Sequence, residues 1–463
     1  MVLLDLSINN LTKIPDISDD TTVLNLCFNK ITKIEILPSS VQKLGLYDNQ
    51  ITKIENLLNS IQELYLDNNQ ITKMENLPSS LQILYIQHNR ITKIENLPEN
   101  IQSLYLGNNQ ITKIENLPEN IQTLYLCDNQ ITKIENLPKT LHMLNLAETQ
   151  ITKIENLPRT LHMLDLAETQ ITKIENLPSS IQTLCLSNNR ITKIENLPSS
   201  LQKLYLTYNQ ITKIENLHNL LQELWLNNNQ ITEIENLPNL LQELCISNNQ
   251  ITKIENLPNS VQQLYLHYNE ITKIENLPSS LQMLDLENNQ ITKIENLPNS
   301  IQKLYLHYNE ITELSLDLLE SRYIRTFCYS ENPIEFIHPL VQRWLERLNN
   351  GVIGGNNKVY SDGQNIHNST IQKSFRNSLG NLLKDKNTLS LEECKKHVLE
   401  CSRLEEQTKR ELLNYCDDET EHSVYLVKFD EVFKYVVSRI IKHPESIEMS
   451  KILNEEIKDT ICK

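Results

Sequence analysis

Five cysteine and histidine side chains near the carboxyl end of the chain are of types that could bind a metal ion: Cys394, His397, Cys401, Cys416 and His422. Structural zinc is held by thiolate and imidazole groups, most often arranged in closely spaced pairs such as C-x2-C. That pairing does not occur here. Cys394 and Cys401 are seven residues apart and in phase with apolar residues. This predicts a buried helical stripe and leaves zinc as the alternative interpretation.

Cys416 is followed by Asp417 and Asp418, so a thiol and two carboxylates are close together in the sequence. A cysteine beside a carboxylate can form a covalent thioester when the carboxylate activates or orients the thiol. A three-residue pattern also arises easily by chance. The chain contains no glycine-rich phosphate loop, no G-x-S-x-G and no H-E-x-x-H. We therefore predict no enzyme, no cofactor and no metal site.

These residues follow a repeat that occupies most of the chain and has a period of twenty residues. One period, residues 181–200, reads IQTLCLSNNRITKIENLPSS. Leu184 and Leu186 are two residues apart, which predicts a short strand with both side chains pointing inward. Asn189 follows where the chain leaves the strand, and its amide can bond backbone groups of neighbouring coils. Because one coil cannot bury its apolar residues alone, stacked coils are predicted to share a continuous core.

The repeats predict a solenoid of about sixteen coils over residues 1–337, roughly 70 Å long at ~4.8 Å per strand. An amphipathic stretch at 338–350 is predicted to be a helix that caps the last coil. The glycine- and asparagine-rich stretch 351–368 is predicted to be a linker. Helical periodicity returns at 369–463, where the sequence SLEE can start a helix as a capping box, and predicts an α-helical C-terminal domain.

The pattern LxxLxLxxNxIxxIxxLPxx is identified as that of the leucine-rich repeat family. The coil ending in Leu-Pro resembles the short repeats of bacterial effectors of the YopM and IpaH type, and its ITKIENL segment is similar to repeats of phosphatase-regulatory leucine-rich proteins. The resemblance implies an α/β leucine-rich repeat solenoid, right-handed and curved, with short parallel strands on the concave face and irregular segments on the convex side. Such a horseshoe binds proteins.

The IpaH-type effectors join similar repeats to a ubiquitin-ligase domain with a catalytic Cys-x-Asp. That resemblance implies that Cys416 would accept ubiquitin as a thioester and that Asp418 would act as base or orienting group. The helical region of this chain is much shorter than such a domain, and nothing else in it matches.

A further resemblance concerns the segment VYSDGQNIHNSTIQKSF and the residues after it. It is similar to the tails of leucine-rich repeat proteins of giant DNA viruses of amoebae, in which the repeats are also nearly identical. This resemblance implies an intracellular viral protein and carries no activity with it.

The side chains that flank the inward leucines are predicted to point outward on the concave side, where binding specificity is expected. Aromatic residues recur there, and they are the usual anchors of protein interfaces. The predicted protein-binding residues are Tyr65, Tyr85, Tyr105, Tyr125, Tyr205, Tyr208, Trp225, Tyr265, His267, Tyr268, Tyr305, His307 and Tyr308. The alternative is that tyrosine is a generic strand former in a recently duplicated array.

Charge predicts the kind of partner. The chain has a formal net charge of −16, and residues 339–463 contain 19 basic and 20 acidic residues, so the repeats carry −15. On the predicted concave face the acidic residues outnumber the three lysines Lys43, Lys203 and Lys303, which favours a basic protein partner. Nucleic acid needs a basic stripe, so we predict no binding of DNA or RNA.

The cysteines and the apolar segments predict the compartment. The nine cysteines are an odd number without the spacing of disulfide pairs, which predicts free thiols in a reducing compartment. There is no signal-peptide pattern and no run of the ~20 apolar residues that span a membrane. We expect a cytoplasmic protein without a membrane partner, in the host cytoplasm if it is viral. The oligomeric state is left open.

The function predicted from the sequence is a non-enzymatic scaffold that binds a protein partner through the concave face of the solenoid. Two alternatives remain. One is a ubiquitin-ligase-like effector or adaptor whose C-terminal domain is the functional module. The other is a structural virion component.

Overall fold

The computed structural model describes residues 2–349, 359–360 and 390–402, together with residues 404, 406, 409, 410 and 413. Contacts along the backbone divide the chain into two compact units. One unit comprises Met1–Pro333 and Leu340–Asp362, and the other comprises Ile334–Pro339 and Gly363–Lys463. Among the described helices, none is both long enough and apolar enough to cross a membrane.

Each coil contributes one short strand to a parallel sheet. Leu184 pairs with Leu164 of the preceding coil and with Leu204 of the next one. In chain order the strands are β1 (Leu3–Asp5), β2 (Val23–Asn25), β3 (Lys43–Gly45), β4 (Glu63–Tyr65), β5 (Ile83–Tyr85), β6 (Ser103–Tyr105), β7 (Thr123–Tyr125), β8 (Met143–Asn145), β9 (Met163–Asp165), β10 (Thr183–Cys185), β11 (Lys203–Tyr205), β12 (Glu223–Trp225), β13 (Glu243–Cys245), β14 (Gln263–Tyr265), β15 (Met283–Asp285), β16 (Lys303–Tyr305), β17 (Glu313–Leu314), β18 (Thr326–Cys328), β19 (Phe336–Ile337) and β20 (Val359–Tyr360). All of them except β17 and β19 belong to the one sheet.

The number of coils is one larger than the predicted sixteen. β1 to β16 follow one another at the twenty-residue period, and β18 then adds a seventeenth coil strand. Lys303 of β16 pairs with Thr326 of β18, so the spacing here is twenty-three residues. A 3-10 helix at Leu316–Glu320 occupies the additional length and buries Leu318. This last coil lies within the solenoid predicted for residues 1–337, so the predicted extent includes it and only the count of about sixteen is one too low.

β20 lies within the stretch predicted to be a linker. Val359 and Tyr360 pair in parallel with Phe327 and Cys328 of β18. The glycine- and asparagine-rich composition around this strand gave no sign of it, because a strand of two residues has no periodicity to detect.

The core runs between the strands and the opposite wall of each coil. In the coil at 181–200, Leu184, Leu186, Ile191 and Ile194 are all fully buried. The residues on either side of Leu184 in β10 are half-buried. This alternation confirms the prediction that the two leucines point inward while their neighbours face solvent.

A row of buried asparagines joins the coils where the chain leaves the strands. The Asn189 side-chain Nδ2 donates to the carbonyl oxygens of Leu166 and Leu186 at 2.8 and 3.1 Å. Its Oδ1 accepts a hydrogen bond from the backbone amide of Ile171 at 2.8 Å. One side chain thus satisfies backbone groups in two coils, as predicted. We call these residues the asparagine row.

A second set of polar side chains bonds the opposite wall, and only the structure identifies it. Asn196 has a φ of 53° and donates from Nδ2 to the carbonyl oxygen of Ile174 at 3.0 Å. Asparagine adopts this left-handed conformation more readily than most residues do. Ser200 donates to the carbonyl oxygen of Ile181 at 2.6 Å. The recurrent ENLPSS sequence therefore carries hydrogen bonds as well as the turn.

The two ends of the repeats differ in how their cores are covered. In the first coil Leu4 and Leu6 are only half-buried, whereas Leu24 and Leu26 in the next coil are fully buried. After the last coil comes α1 (Pro339–Asn349), within the stretch predicted to be a cap helix.

Helix α1 packs its apolar face inward. Val341 and Leu348 are fully buried and Leu345 is nearly so. The ring of Trp344 lies 5.8 Å from that of Phe327 in β18. These contacts cover the apolar residues of the last coil strand.

The described part of the C-terminal region contains α2 (Leu391–Glu400). Its first turn is closed by a capping box, in which Ser390 accepts from the amide of Glu393 and the Glu393 carboxylate accepts from the amide of Ser390. This confirms the helix start predicted from the sequence SLEE. Cys394 and Val398 of the predicted core stripe are buried, whereas Cys401 is half-buried just after the helix and His397 is exposed, so the stripe is confirmed only in part. Within the described residues, the helical domain predicted over 369–463 is indicated by this helix and by further helical residues at 406, 409, 410 and 413.

Candidate protein-binding face

We call the outward side chains of the coil strands, with the residue two positions after each strand, the strand face. In β11, Lys203 and Tyr205 are half-buried on either side of the fully buried Leu204. The predicted binding residues at the equivalent positions therefore share this surface. They are Tyr65, Tyr85, Tyr105, Tyr125, Tyr205, Trp225, Tyr265, His267, Tyr305 and His307.

In the first half of the face three tyrosine rings stack on one another, and a fourth lies tilted against the third. The ring centroids of Tyr65 and Tyr85 are 4.9 Å apart with their planes 9° apart. Tyr85 and Tyr105 are 4.1 Å apart with their planes 2° apart, and Tyr125 follows at 4.9 Å. Burial within this stack, together with the neighbouring Tyr105, raises the pKa of the Tyr85 phenol. The sequence placed these residues in register, and the structure brings their rings into contact.

A lysine and a glutamate complete the beginning of the stack. The Lys43 ammonium lies 2.7 Å from the Glu63 carboxylate and 5.0 Å from the centroid of the Tyr65 ring. The Tyr65 hydroxyl donates to the same carboxylate at 2.9 Å. The hydrogen bond from Lys43 is the main cause that holds the pKa of Glu63 below its usual value. The cation, ring and carboxylate form one cluster.

The middle of the face carries small and polar residues instead of aromatic ones. The Asn145 amide donates to the Asp165 carboxylate at 3.1 Å. In the next coil, burial raises the pKa of the Cys185 thiol to about 11, with Asp165 adding to the shift. Such a thiol stays protonated at neutral pH and is a poor nucleophile. This stretch therefore offers no activated cysteine. It separates the first aromatic row (Tyr65, Tyr85, Tyr105 and Tyr125) from the second aromatic row (Tyr205, Trp225, Tyr265 and Tyr305).

The second aromatic row also begins with a lysine–glutamate pair bonded by a tyrosine, but here the tyrosine is on the strand of the lysine and not on that of the glutamate. Lys203 lies 2.8 Å from Glu223, whose carboxylate also accepts a hydrogen bond from the Tyr205 hydroxyl at 2.8 Å. The Tyr205 and Trp225 rings meet edge to face at 5.0 Å. The indole Nε1 of Trp225 donates to Glu243 at 3.1 Å, and the side chain is 38% exposed. Tryptophan is enriched among the residues that contribute most to protein interfaces, and this indole is both exposed and held in place by a carboxylate.

Two histidines follow, each beside a carboxylate. His267 Nδ1 lies 2.9 Å from Asp285 Oδ2 and 2.9 Å from Ser247 Oγ. His307 Nε2 lies 3.7 Å from Glu287 Oε1. In a hydrolytic triad the serine and the aspartate contact opposite nitrogens of the imidazole. Here both contact the same nitrogen, so this geometry cannot relay a proton from the serine to the carboxylate.

Three exposed tyrosines occupy the turn at the edge of the strand face. Tyr208, Tyr268 and Tyr308 have φ angles of 55°, 55° and 52° and are each 55% exposed. Six of the coils carry asparagine at this position, for example Asn188 and Asn228. A left-handed backbone costs a residue without a short polar side chain roughly 1–2 kcal/mol. The three tyrosines thus extend the aromatic surface at some cost in backbone strain.

The hydrogen bonds from tyrosine and tryptophan to glutamate were not predicted. The spacing that could have indicated these hydrogen bonds is present in the sequence. Glu63 precedes Tyr65 by two residues, and Glu223 lies one coil after Lys203. Which carboxylate meets which ring depends on the pairing of neighbouring strands, and a sequence read one coil at a time does not supply that pairing.

The alternative sites predicted from the sequence are only partly within the described residues. Among the residues that the structure describes, no three His, Cys, Asp or Glu side chains are placed to hold a metal ion. The seven described cysteines form no disulfide. Cys416, Asp418 and His422 lie outside the described residues, so the zinc and thioester interpretations that involve them are not decided.

The repeats and the fold of this chain are similar to those of known proteins. Segments 79–119, 179–219, 199–239, 220–259 and 259–299 match a model of leucine-rich repeats in two copies. YopM from Yersinia enterocolitica WA-314 has a similar structure, with a TM-score of 0.59 and 22% sequence identity over 78% of this chain and 91% of that chain. A leucine-rich repeat protein of Leptospira interrogans has a TM-score of 0.53 and 25% identity over 77% of this chain and 95% of that one. No curated protein sequence matches. Together these findings support the leucine-rich repeat family and show a parallel-strand solenoid.

Proposed function

We propose that this chain of leucine-rich repeats is a non-enzymatic scaffold that binds a protein partner through its strand face. The observation that carries the proposal is the second aromatic row, in which Tyr205 and Trp225 are held by glutamates and remain accessible to solvent. Rigid aromatic side chains provide large contact areas at a low cost in conformational entropy. Leucine-rich repeat proteins are generally binding scaffolds, which supports the same function.

The partner that this face fits best carries a basic surface. Glu223, Glu243, Asp285 and Glu287 line its second half, and Lys203 is already paired with Glu223. Complementary charge speeds association and rejects partners of the same sign. Binding of this kind needs neither nucleic acid nor a membrane. We also propose where the chain acts: it is a cytoplasmic protein of a giant DNA virus and binds a protein of the host.

Affinity capture from a eukaryotic host extract tests the proposal with the full-length chain. The test variant changes Tyr205, Trp225, Tyr265 and Tyr305 together to alanine. The control variant changes four exposed lysines on another edge, Lys193, Lys213, Lys253 and Lys273, to alanine. Circular dichroism and urea unfolding establish that both variants are folded.

We expect one partner to be retained by the wild type and the control and lost by the aromatic variant. If both variants retain the same proteins, recognition does not use the aromatic row and the proposal is wrong. A ubiquitin-ligase function predicts instead that Cys416→Ala abolishes thioester formation with ubiquitin. A virion component predicts self-association without a host partner.

A further inference from the structure

The strand face contains one example of how it holds a cation. The Lys43 ammonium lies over the Tyr65 ring at 5.0 Å and contacts the Glu63 carboxylate at 2.7 Å. An ammonium group is attracted by the face of an aromatic ring, and an adjacent carboxylate adds a charge-assisted hydrogen bond to it. This combination of ring and carboxylate is therefore a working cation site within the fold.

Tyr265 has the same strand position as Tyr65, but its surroundings carry the opposite charge. Lys43 precedes Tyr65 by twenty-two residues, and the residue at that distance before Tyr265 is Glu243. On the other side, Asp285 pairs with Tyr265 across the sheet. Burial raises the pKa of the Tyr265 phenol to about 12, and Glu243 and Asp285 add to the shift. The Tyr265 ring therefore has carboxylates around it, whereas the equivalent ring of Tyr65 has Lys43 beside it.

The spacing of the rings defines the size of the group that fits. Strand pairing places Asp285 between Tyr265 and Tyr305, so the two rings start from strands ~9.6 Å apart. In the first row, tyrosines at this position turn their faces toward the next coil, as Tyr85 and Tyr105 do. A flat group stacked between two rings needs ~7–8 Å, which is twice the usual contact distance. The residue between the two rings is an aspartate, whose side chain is shorter than the tyrosines on either side.

The carboxylate between the rings still has capacity for another donor. Asp285 Oδ2 contacts His267 Nδ1 at 2.9 Å, and Oδ1 accepts the Glu287 amide at 3.1 Å. An ionised carboxylate offers about four acceptor positions, so about two remain. The Asp285 side chain is 14% exposed, so an ion pair here would be shielded from solvent more than a surface pair.

The local charge is not balanced by the neighbouring cations. Burial, and next the charge of Asp285, raise the pKa of the Glu287 carboxylate, and His307 and His267 offset this only in part. Lys303 is exposed beside Tyr305 on the same strand, and it brings one positive charge against three carboxylates. Two carboxylates that disfavour one another are stabilised when a cation is bound between them.

We propose that Tyr265, Asp285 and Tyr305 form a clamp for an arginine side chain of the partner protein. The guanidinium group would lie between the two tyrosine rings and donate hydrogen bonds to Asp285. This inference rests on the proposed function and specifies the chemistry of its partner. Arginine fits better than lysine because its guanidinium is planar, stacks on aromatic faces and can form two hydrogen bonds to one carboxylate.

Binding of a short peptide to the full-length chain tests the clamp. The probe is a fluorescein-labelled tetra-arginine peptide with both ends blocked, followed by fluorescence anisotropy. Tetra-lysine keeps the charge and tetra-citrulline keeps the shape. We expect saturable binding of tetra-arginine, affinity for tetra-lysine weaker by about tenfold, and no binding of tetra-citrulline.

Two pairs of variants locate the site. Asp285→Asn is expected to weaken tetra-arginine binding by about tenfold. Its matched control is Asp165→Asn, at the same strand position but between Asn145 and Cys185, and it should change binding by less than about twofold. Tyr265→Leu, which keeps an apolar side chain, should also weaken binding. Tyr85→Leu in the first row should not.

Equal affinity for the arginine and lysine peptides would overturn the clamp in favour of general charge attraction. Unchanged binding to folded Asp285→Asn or Tyr265→Leu, or the absence of any saturable binding to the wild type, would also overturn it. These outcomes are separate from the capture experiment. If the quadruple alanine variant loses its host partner while Asp285→Asn binds the peptide normally, the clamp is wrong and the proposed function stands.

Discussion

At the scale of single residues, the strand face holds charges that the fold itself disfavours. Glu287 is the clearest case, since burial and the nearby Asp285 raise the pKa of its carboxylate above the ordinary value of 4.5. His267 and His307 offset part of this effect. A half-buried charge of this kind lowers the stability of the fold. Residues that serve binding often carry such a cost in stability, so this position is consistent with a binding role.

Glu287→Gln is expected to raise the melting temperature at pH 7. The folded chain holds the proton of Glu287 more tightly than the unfolded chain, so the wild type loses stability as pH rises from 4.5 through the raised pKa. Glutamine does not ionise and avoids this loss. Melting curves between pH 4 and pH 8 should show a difference that grows with pH and vanishes at the acidic end.

The exposed Glu255→Gln provides the control for this pH series. A difference of the same size in both variants would mean that the environment of Glu287 is not the cause.

At the scale of the coil, the asparagine row is the element that transmits stability from one repeat to the next. It is interrupted at Thr149 and Thr169, whose hydroxyls donate to the carbonyl oxygens of Leu146 and Leu166. Threonine lacks the side-chain carbonyl oxygen with which Asn189 accepts a hydrogen bond from the backbone amide of Ile171. In the described chain, the backbone amides of Ile131 and Ile151 accordingly have no side-chain acceptor of this kind. Coils in the middle of the repeats are therefore less firmly joined.

Thr149→Asn should strengthen this junction. The new side chain would accept from the Ile131 amide and donate to two carbonyl oxygens, as Asn129 and Asn189 do in their own coils. We expect a gain of about 1 kcal/mol in the free energy of unfolding. Urea unfolding measures the gain, and hydrogen exchange should slow at the Ile131 amide.

The reverse change in an intact part of the row, Asn209→Thr, should destabilise by a similar amount. If Thr149→Asn left both the unfolding curve and the exchange of Ile131 unchanged, the asparagine row would not carry the coupling assigned to it.

At the scale of the whole molecule, stability is a sum over coils and over the interfaces between them. Interior coils bury their leucines completely, whereas Leu4 and Leu6 in the first described coil remain half-buried. A leucine at the same coil position should therefore contribute more to the free energy of unfolding in an interior coil than in the first coil.

Leu204→Ala is expected to cost about 2–5 kcal/mol, because it leaves a cavity in a fully buried core. Leu4→Ala should cost about 1 kcal/mol or less, since the side chain is already partly in contact with water. Urea unfolding of both variants provides the comparison. Equal losses would show that the first coil is as well packed as the interior, contrary to the burial seen here.

The sequence by itself was sufficient for the strand positions, the inward leucines, the asparagine row and the capping box at Ser390. Each of these depends on spacing within one coil or one helix turn, and a periodic sequence displays that spacing directly. The predicted aromatic residues were also placed in one register by the repeat. Their role in binding stays a prediction.

What only the tertiary structure decided lies between coils. The stacking of Tyr85 on Tyr105, the glutamate partners of Tyr205 and Trp225, and the position of Asp285 between two tyrosines each need residues that are eighteen or more apart in the chain. The same holds for β20, which pairs with a strand more than thirty residues before it. Such contacts are set by how strands pair and how far apart they lie, and the pattern of one coil contains neither quantity.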